Sequence, residues 1–170
     1  MEVGIVSTLE KHIADAKGQP KVRAGLTKHL KETKRHATEM KKALAALGGS
    51  HPVVREGVSK LGNLVAGLVT SAAPDTVVKN AIADFATEHF EIACYTSLIL
   101  TAAALGESKI AATCKTILAE EKAMARALEI QFPAVNDVYL STLEDDAKTA
   151  PKREAVKSKV PAKKKSKSKK

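Results

Sequence analysis

The stretch of sequence that decides the fold runs from Asp84 to Tyr95 and reads Asp-Phe-Ala-Thr-Glu-His-Phe-Glu-Ile-Ala-Cys-Tyr. Asp84, Glu88, Glu91 and Tyr95 follow one another at spacings of four, three and four, so they share one side of an α-helix. That side continues into apolar residues as far as Ala102 and therefore faces inward. Carboxylates are rarely buried unless they are paired or bind a cation. The sequence thus predicts a helix that carries acids into a protein core.

Helical periodicity extends over residues 1–147, and no stretch alternates with the period of two that is typical of strands. The predicted helices, bounded by Gly and Pro residues, span 3–17, 20–47, 53–70, 76–105, 107–131 and 134–146. Aromatic residues make up only 3% of the chain, so the core must be built from Ala, Leu, Ile and Val, which suit packed helices. We predict an all-α fold, a four-helix bundle in which 53–70 is a helical connector.

The basic charge is concentrated at the C-terminus. Residues 148–170 hold 11 of the 28 Lys and Arg residues but only one of the 19 acids, whereas residues 1–147 hold 17 basic and 18 acidic residues. Such a segment cannot bury enough apolar surface to fold. We therefore predict two parts, a helical bundle over 1–147 and a disordered Lys-rich tail over 148–170.

Other features of the sequence limit the class of protein to which it can belong. The N-terminus lacks the basic start and apolar core of a signal peptide, and the longest uncharged run, 92–105, is too short for a membrane span. Cys94 and Cys114 lie in apolar helical stretches without a paired spacing, which fits a reducing compartment. We predict a cytoplasmic protein without a membrane partner. The apolar surface of 92–105 and 53–70 further predicts a homodimer or larger oligomer.

Further acids and histidines lie on or beside apolar helix faces. Glu121 interrupts the stripe of its helix, His29 and His36 lie on the stripe of theirs with Glu32 between them, and Glu10 flanks apolar positions of the first helix. Several inward carboxylates would repel one another unless a metal pair neutralised them. Carboxylates with one or two imidazoles suit iron, with manganese as the alternative, better than zinc.

Four stretches of this sequence resemble a known family. Residues 88–95, followed by 118–122, resemble the second half of the YciE/YciF-type ferritin-like family, residues 29–33 resemble its first half, and residues 9–11 its first helix. The resemblance covers about residues 5–130. It implies a ferritin-like fold, a link to stress responses and ferroxidase-type oxidoreductase activity.

The resemblance also implies a set of site residues. The implied metal ligands are Glu10, Glu32, His36, Glu88, Glu91 and Glu121, and Tyr95 would hydrogen-bond one of the carboxylates. Two positions depart from the family pattern, because the Glu-x-x-His partner of Glu121 would be Met124 and the internal counterpart of Glu121 is Thr33. The site can therefore be dinuclear, mononuclear or degenerate. We expect His29 and His89 to be core or boundary histidines and Asp84 to be solvated.

The tail suggests a second property. Mobile ammonium groups neutralise phosphates and release counterions, which gives salt-dependent binding without sequence preference. The predicted contacts with DNA or another polyanion come from Lys152, Arg153, Lys157, Lys159, Lys163, Lys164, Lys165, Lys167, Lys169 and Lys170; the alternative is a solubilising tail. Two functions follow: a ferroxidase-type metal protein, or a non-catalytic nucleoid-associated or structural bundle whose metal site is degenerate.

Overall fold

The computed structural model describes residues 2–49 and 73–149. Its helices are α1 (Glu2–Asp15), α2 (Pro20–Ala46), α3 (Thr76–Ala104) and α4 (Ser108–Thr149), and a 3₁₀ turn, Ala16–Gly18, follows α1. These ranges contain no strand, so the prediction of an all-α bundle is confirmed. No described helix is long and apolar enough to cross a membrane. The predicted connector at 53–70 and the tail residues 150–170 lie outside the described ranges.

The four helices form two antiparallel pairs, α1 with α2 and α3 with α4. Asp84 of α3 contacts His12 of α1, and Tyr95 contacts Glu2, so α3 runs antiparallel to α1 and parallel to α2. With 27 residues, α2 is about 40 Å long. The end of α2 and the start of α3 therefore lie at opposite ends of the bundle, as in four-helix folds with one long crossover.

The ends of α2 and α3 share one geometry. Gly48 and Gly106 follow these helices with φ angles of 71° and 76°, a region that glycine adopts without a steric penalty. After Gly106, the backbone N–H of Glu107 donates to the carbonyl of Ala102 at 2.8 Å. This bond closes the helix and satisfies one of its last carbonyls.

Helix α4 continues through Pro133, so the predicted break between helices 107–131 and 134–146 is wrong. Proline removes one backbone hydrogen bond from a helix interior, but tertiary contacts hold the chain on both sides of it. Phe132 packs edge-to-face on Phe85 of α3, with 5.5 Å between ring centres, and Val135 is buried. Packing therefore outweighs the local preference of proline.

The apolar core consists of two clusters along the bundle axis. One is built on Leu9, Ala16, Leu26, Met124 and Leu128, and the other on Tyr95, Cys114 and Ile117. Between them, each of the four helices turns polar side chains inward. The predicted apolar stripe of α2 is not buried at the C-terminal end of the helix, where Leu44 and Leu47 are exposed. Within the described residues, α1 is seen to face α2 as far as His36, whose Nδ1 lies 3.9 Å from Oε2 of Glu2.

Candidate metal centre

A layer of carboxylates and imidazoles fills the core between the two apolar clusters. All six side chains are buried, and they come from all four helices: Glu2 of α1, His29 and His36 of α2, Glu88 and Glu91 of α3, and Glu121 of α4. Spacings of seven residues on α2 and three on α3 place each pair on the inward face of its helix. We call this set of six residues the acidic layer.

Glu121 lies at the centre of the acidic layer. The Nδ1 atom of His36 is 2.8 Å from Oε1 of Glu121 and 3.9 Å from Oε2 of Glu2, and Nε2 of His29 is 2.9 Å from Oε1 of Glu88. Two groups of candidate ligand atoms result, Glu2–His36–Glu121 and His29–Glu88–Glu121, and the atoms of each lie within 4.8 Å of one another. Because Glu121 belongs to both groups, its carboxylate can bridge two ions.

Many polar atoms of the acidic layer have no hydrogen-bond partner. Both oxygens of Glu91 and of Glu121 are buried without one, as are Oε2 of Glu88, Nε2 of His29 and Nδ1 of His36. The two nitrogens lie close to carboxylate oxygens, but not with the angles of hydrogen bonds. Each unpaired buried polar atom costs about 1–3 kcal/mol. A cation would satisfy oxygen and imidazole lone pairs together, so the donor set fits a metal site.

Burial also changes the acidity of these carboxyl groups. It raises the pKa of Glu88 and of Glu91 to about 10, and neighbouring carboxylates such as Glu121 act in the same direction. Burial likewise raises the pKa of Glu2, against the effect of its hydrogen bond from Tyr95. Without a cation, Glu88 and Glu91 are therefore protonated at neutral pH. Two divalent ions would balance the four ionised carboxylates of the layer, which fits a two-ion site.

Two buried pairs connect the acidic layer to its surroundings. The hydroxyl of Tyr95 donates a hydrogen bond to Glu2 and so links α3 to α1. Asp84, one turn before the layer on α3, accepts a 2.7 Å bond from Nδ1 of His12. The expectation that Asp84 is solvated is wrong, because α1 covers this part of α3 and supplies an imidazole partner.

The structure brings together only part of the predicted ligand set. Glu10 is half exposed and pairs with Lys34 at 2.9 Å, while Glu32 pairs with Lys28 at 3.3 Å; neither belongs to the two groups of candidate ligand atoms. The predicted ligands that do converge in the acidic layer are His36, Glu88, Glu91 and Glu121.

Glu2 and His29 are the two members of the acidic layer that sequence reasoning missed. Glu2 precedes Leu9 by seven residues, and this spacing places both on the inward face of α1. His29 precedes His36 by the same interval, so it was expected in the core, but as a structural residue and not beside carboxylates. In both cases the signal was a heptad relation to a residue already assigned to the interior.

The two departures from the family pattern also find their places. Met124 belongs to the apolar cluster around Leu9, and the hydroxyl of Thr33 donates to the carbonyl of His29 at 3.1 Å. Neither residue stands among the candidate ligands. Both imidazoles of the acidic layer come from α2, so the layer still holds four carboxylates and two histidines, the donor set of four-helix carboxylate sites.

Comparisons with known proteins agree with this architecture. A family model described as a domain of unknown function, DUF892, matches residues 1–141. A crystal structure of a protein from Xanthomonas campestris pv. campestris is similar to this chain, with a TM-score of 0.70 and 25% identity over 85% of this chain and 89% of that one. YcfI of Rhodopseudomonas palustris, described as a proposed structural protein, has a TM-score of 0.60 and 27% identity over 75% of this chain and 83% of its own.

The raised pKa values predict how the metal-free protein responds to pH. When the pKa of an acid is higher in the folded state than in the unfolded chain, the free energy of unfolding falls as pH rises between the two pKa values. We expect the free energy of unfolding in chelator to fall from about pH 7 to pH 9, by up to about 1.4 kcal/mol per pH unit for each such acid. Burial lowers the pKa of His29, which makes the free energy of unfolding rise with pH. This rise is complete near the pKa of a free histidine, about 6.5, and so lies below the range from about pH 7 to pH 9.

The matched variant is Glu91→Gln, which keeps the shape of the side chain without the acid. Urea unfolding of the metal-free proteins should show a smaller pH slope for the variant and a higher stability than wild type near pH 9. Equal slopes for the two proteins would contradict the assignment of Glu91 as a buried neutral acid.

Proposed function

This chain belongs to the DUF892 family, which is ferritin-like, and from that premise we propose that it is a YciE/YciF-type ferritin-like stress protein of the cytoplasm that binds and oxidises Fe(II). The observation that carries the proposal is the position of Glu121, which is shared by two groups of buried candidate ligands. Free thiols at Cys94 and Cys114 suit a reducing compartment.

The donor set favours iron over other transition metals. Hard carboxylate oxygens with two imidazoles suit Fe(II), with Mn(II) as the alternative, whereas structural zinc sites are usually four-coordinate and rich in thiolates. We propose one ion held by Glu2, His36 and Glu121 and a second held by His29, Glu88 and Glu121. Glu91, with both oxygens unpartnered, is available to either ion.

The proposed reaction balances with peroxide or oxygen as the oxidant. Each of two Fe(II) ions loses one electron; peroxide takes up these electrons and two protons, its O–O bond breaks, and two waters form. With oxygen as the oxidant, the same two electrons and two protons give hydrogen peroxide. Substrate positioning by fixed ligands is the contribution that the protein makes to such a step.

The residues around the acidic layer have separate tasks in this proposal. Tyr95 fixes the Glu2 carboxylate through its hydrogen bond, so that a ligand on the short helix α1 keeps its orientation. The two apolar clusters close the layer on both sides and keep bulk water from the ions. A dry site strengthens the interaction of the carboxylates with the bound cations.

Ligand variants test the proposal by the number of ions that each one removes. Anaerobic equilibrium dialysis with Fe(II) should give two bound ions for wild type and none bound tightly by Glu121→Ala, because both groups lose a ligand. His29→Ala should weaken mainly one ion. Oxidation after addition of peroxide, followed by absorbance of Fe(III), should be fast in wild type and slow in Glu121→Ala.

Glu10→Ala is the matched control on α1, since Glu10 is a surface carboxylate paired with Lys34. This variant should bind and oxidise iron as wild type does. Wild-type protein that binds no iron, or that oxidises it no faster than Glu121→Ala, would refute the ferroxidase proposal.

That negative result would favour the second candidate function, a non-catalytic structural or nucleoid-associated protein. The description of YcfI as a proposed structural protein supports this alternative. In that case the acidic layer would remain protonated, and its replacement by apolar residues would stabilise the fold, as is often found for buried ionisable groups.

We further propose that the basic tail, 148–170, binds DNA or another polyanion. Its charge and lack of aromatic residues favour contacts with phosphates over stacking with bases.

Affinity for a DNA duplex should fall by about 10³-fold or more between about 50 and 200 mM salt if six or more phosphates are contacted. Deletion of 148–170 should abolish DNA binding in a fluorescence anisotropy titration and leave iron binding intact. Retained DNA binding would exclude the tail as the segment that binds DNA.

We also propose that the protein forms a homodimer or larger oligomer. Between Ala81 and Leu105, the acids of α3 are all buried, so its solvent-facing surface carries no carboxylate or ammonium group. Large apolar side chains are exposed along it, namely Ile82, Phe90, Leu98, Leu100 and Leu105, and exposed apolar patches often mark interaction sites. Light scattering at micromolar concentration should give at least twice the chain mass, and Leu100→Lys should lower it. A monomeric wild type would contradict this proposal.

A further inference from the structure

Glu120 is a carboxylate that touches the acidic layer from outside. It precedes Glu121 on α4, and its side chain is 29% exposed, whereas that of His36 is buried. Oε2 of Glu120 lies 2.6 Å from Nε2 of His36, on the opposite side of the ring from the layer. The same oxygen accepts a bond from the guanidinium of Arg35. His36 therefore stands between a surface ion pair and the buried carboxylates.

These contacts decide which nitrogen of His36 would keep its proton when the ring binds an ion. An ionised carboxylate can only accept hydrogen bonds, so the nitrogen at 2.6 Å from Glu120 must be the donor. Arg35 also lies near Nε2, at 3.3 Å, but the carboxylate is the closer group and the guanidinium already donates to it. Nδ1 lies 2.8 Å from Oε1 of Glu121 and 3.9 Å from Oε2 of Glu2, so an ion held by these two carboxylates would take the place of a proton on Nδ1 while Nε2 stays bonded to Glu120.

Arg35 has its own part in this arrangement. Its guanidinium donates to the same Oε2 atom of Glu120 that faces Nε2 of His36. This ion pair keeps the partly exposed carboxylate an acceptor. A guanidinium also fixes the rotamer of its carboxylate partner, so that the acceptor stays in line with the ring.

We propose that Glu120, held by Arg35, is a positioning residue that fixes the orientation and tautomer of His36 so that Nδ1 binds the ion shared with Glu2 and Glu121. The inference rests on the proposed function and adds a residue that is outside the layer. Carboxylates that accept from a metal-binding histidine orient the ring and raise its basicity, and their loss typically weakens metal binding about 10–100-fold.

The geometry makes the effect selective for one ion. Among the described residues, Glu120 bonds to Arg35 and His36, while His29 lies beside Glu88 on the other side of Glu121. Removal of Glu120 should therefore weaken the ion in the Glu2–His36–Glu121 group and spare the ion in the His29–Glu88–Glu121 group. A general loss of stability would weaken both.

The test is an anaerobic Fe(II) titration of the metal-free full-length protein, with bound and free iron separated by equilibrium dialysis. Glu120→Ala should bind one ion with the wild-type Kd and the second about 10–100-fold more weakly. Glu120→Gln, which keeps the shape but not the charge, should weaken the same ion to a smaller extent. Arg35→Ala should act in the same direction, because it releases the carboxylate.

Glu39→Ala is the matched control. Glu39 lies on α2 three residues after His36, is similarly part-exposed at 38% of its side chain, and pairs with Lys42 at 3.1 Å, but it has no contact with a candidate ligand. This variant should bind both ions as wild type does. Far-ultraviolet circular dichroism of each variant checks that the helices are intact, and Glu120→Gln serves if Glu120→Ala does not fold.

Several outcomes would overturn the inference. If wild type binds two ions and Glu120→Ala binds both unchanged, Glu120 has no role in positioning His36, and the proposed function stands without it. If both ions weaken equally, the residue acts only through general stability. If wild type binds no iron, the proposed function fails and this inference fails with it.

Discussion

Four carboxylates share a layer that water does not reach, and this constraint governs the rest of the structure. Like charges at such short separations in a medium of low dielectric repel strongly, and desolvation adds to the cost of ionisation. The metal-free protein meets this constraint with protonated Glu88 and Glu91, whose pKa values are raised to about 10. The proposed pair of divalent ions would meet it with charge balance. Under that proposal the same side chains would have two stable states, and the presence of cations would select between them.

The bundle architecture holds the carboxylates together despite their repulsion. The two apolar clusters pack the helices above and below the acidic layer, and burial of apolar surface contributes roughly 25 cal/mol per Å² to stability. Polar cross-links act at the edges of the layer, where Tyr95 joins Glu2 and where His12 joins Asp84. The helices are therefore joined at the level where the candidate ligands converge, which is the support that the proposed cation site would need.

Sequence reasoning predicted the all-α fold and the inward acids of α3, because helical spacing reports directly on which side chains share a face. It failed where tertiary contacts decide the outcome. Pro133 suggested a helix end, but the helix continues past it, and Phe132 beside it packs on Phe85. Glu10 looked like a ligand because it flanks the apolar face of α1, yet it pairs with Lys34 at the surface. The position of an edge residue depends on how the neighbouring helix packs against it, which the spacing along a single helix does not show.

The failure to find the second histidine has a different cause. A Glu-x-x-His motif places one histidine on each of two helices, and Met124 and Thr33 interrupt that motif in this sequence. In the structure both imidazoles, His29 and His36, come from α2, and α3 supplies two carboxylates. An ion responds to the donor atoms around it and not to the helix that carries them. Because four helices face one layer, the set of donor atoms is the same whichever helix supplies a given donor at that level. In a bundle of this kind, the inward positions at one level are therefore a better guide to a metal site than any motif along a single helix.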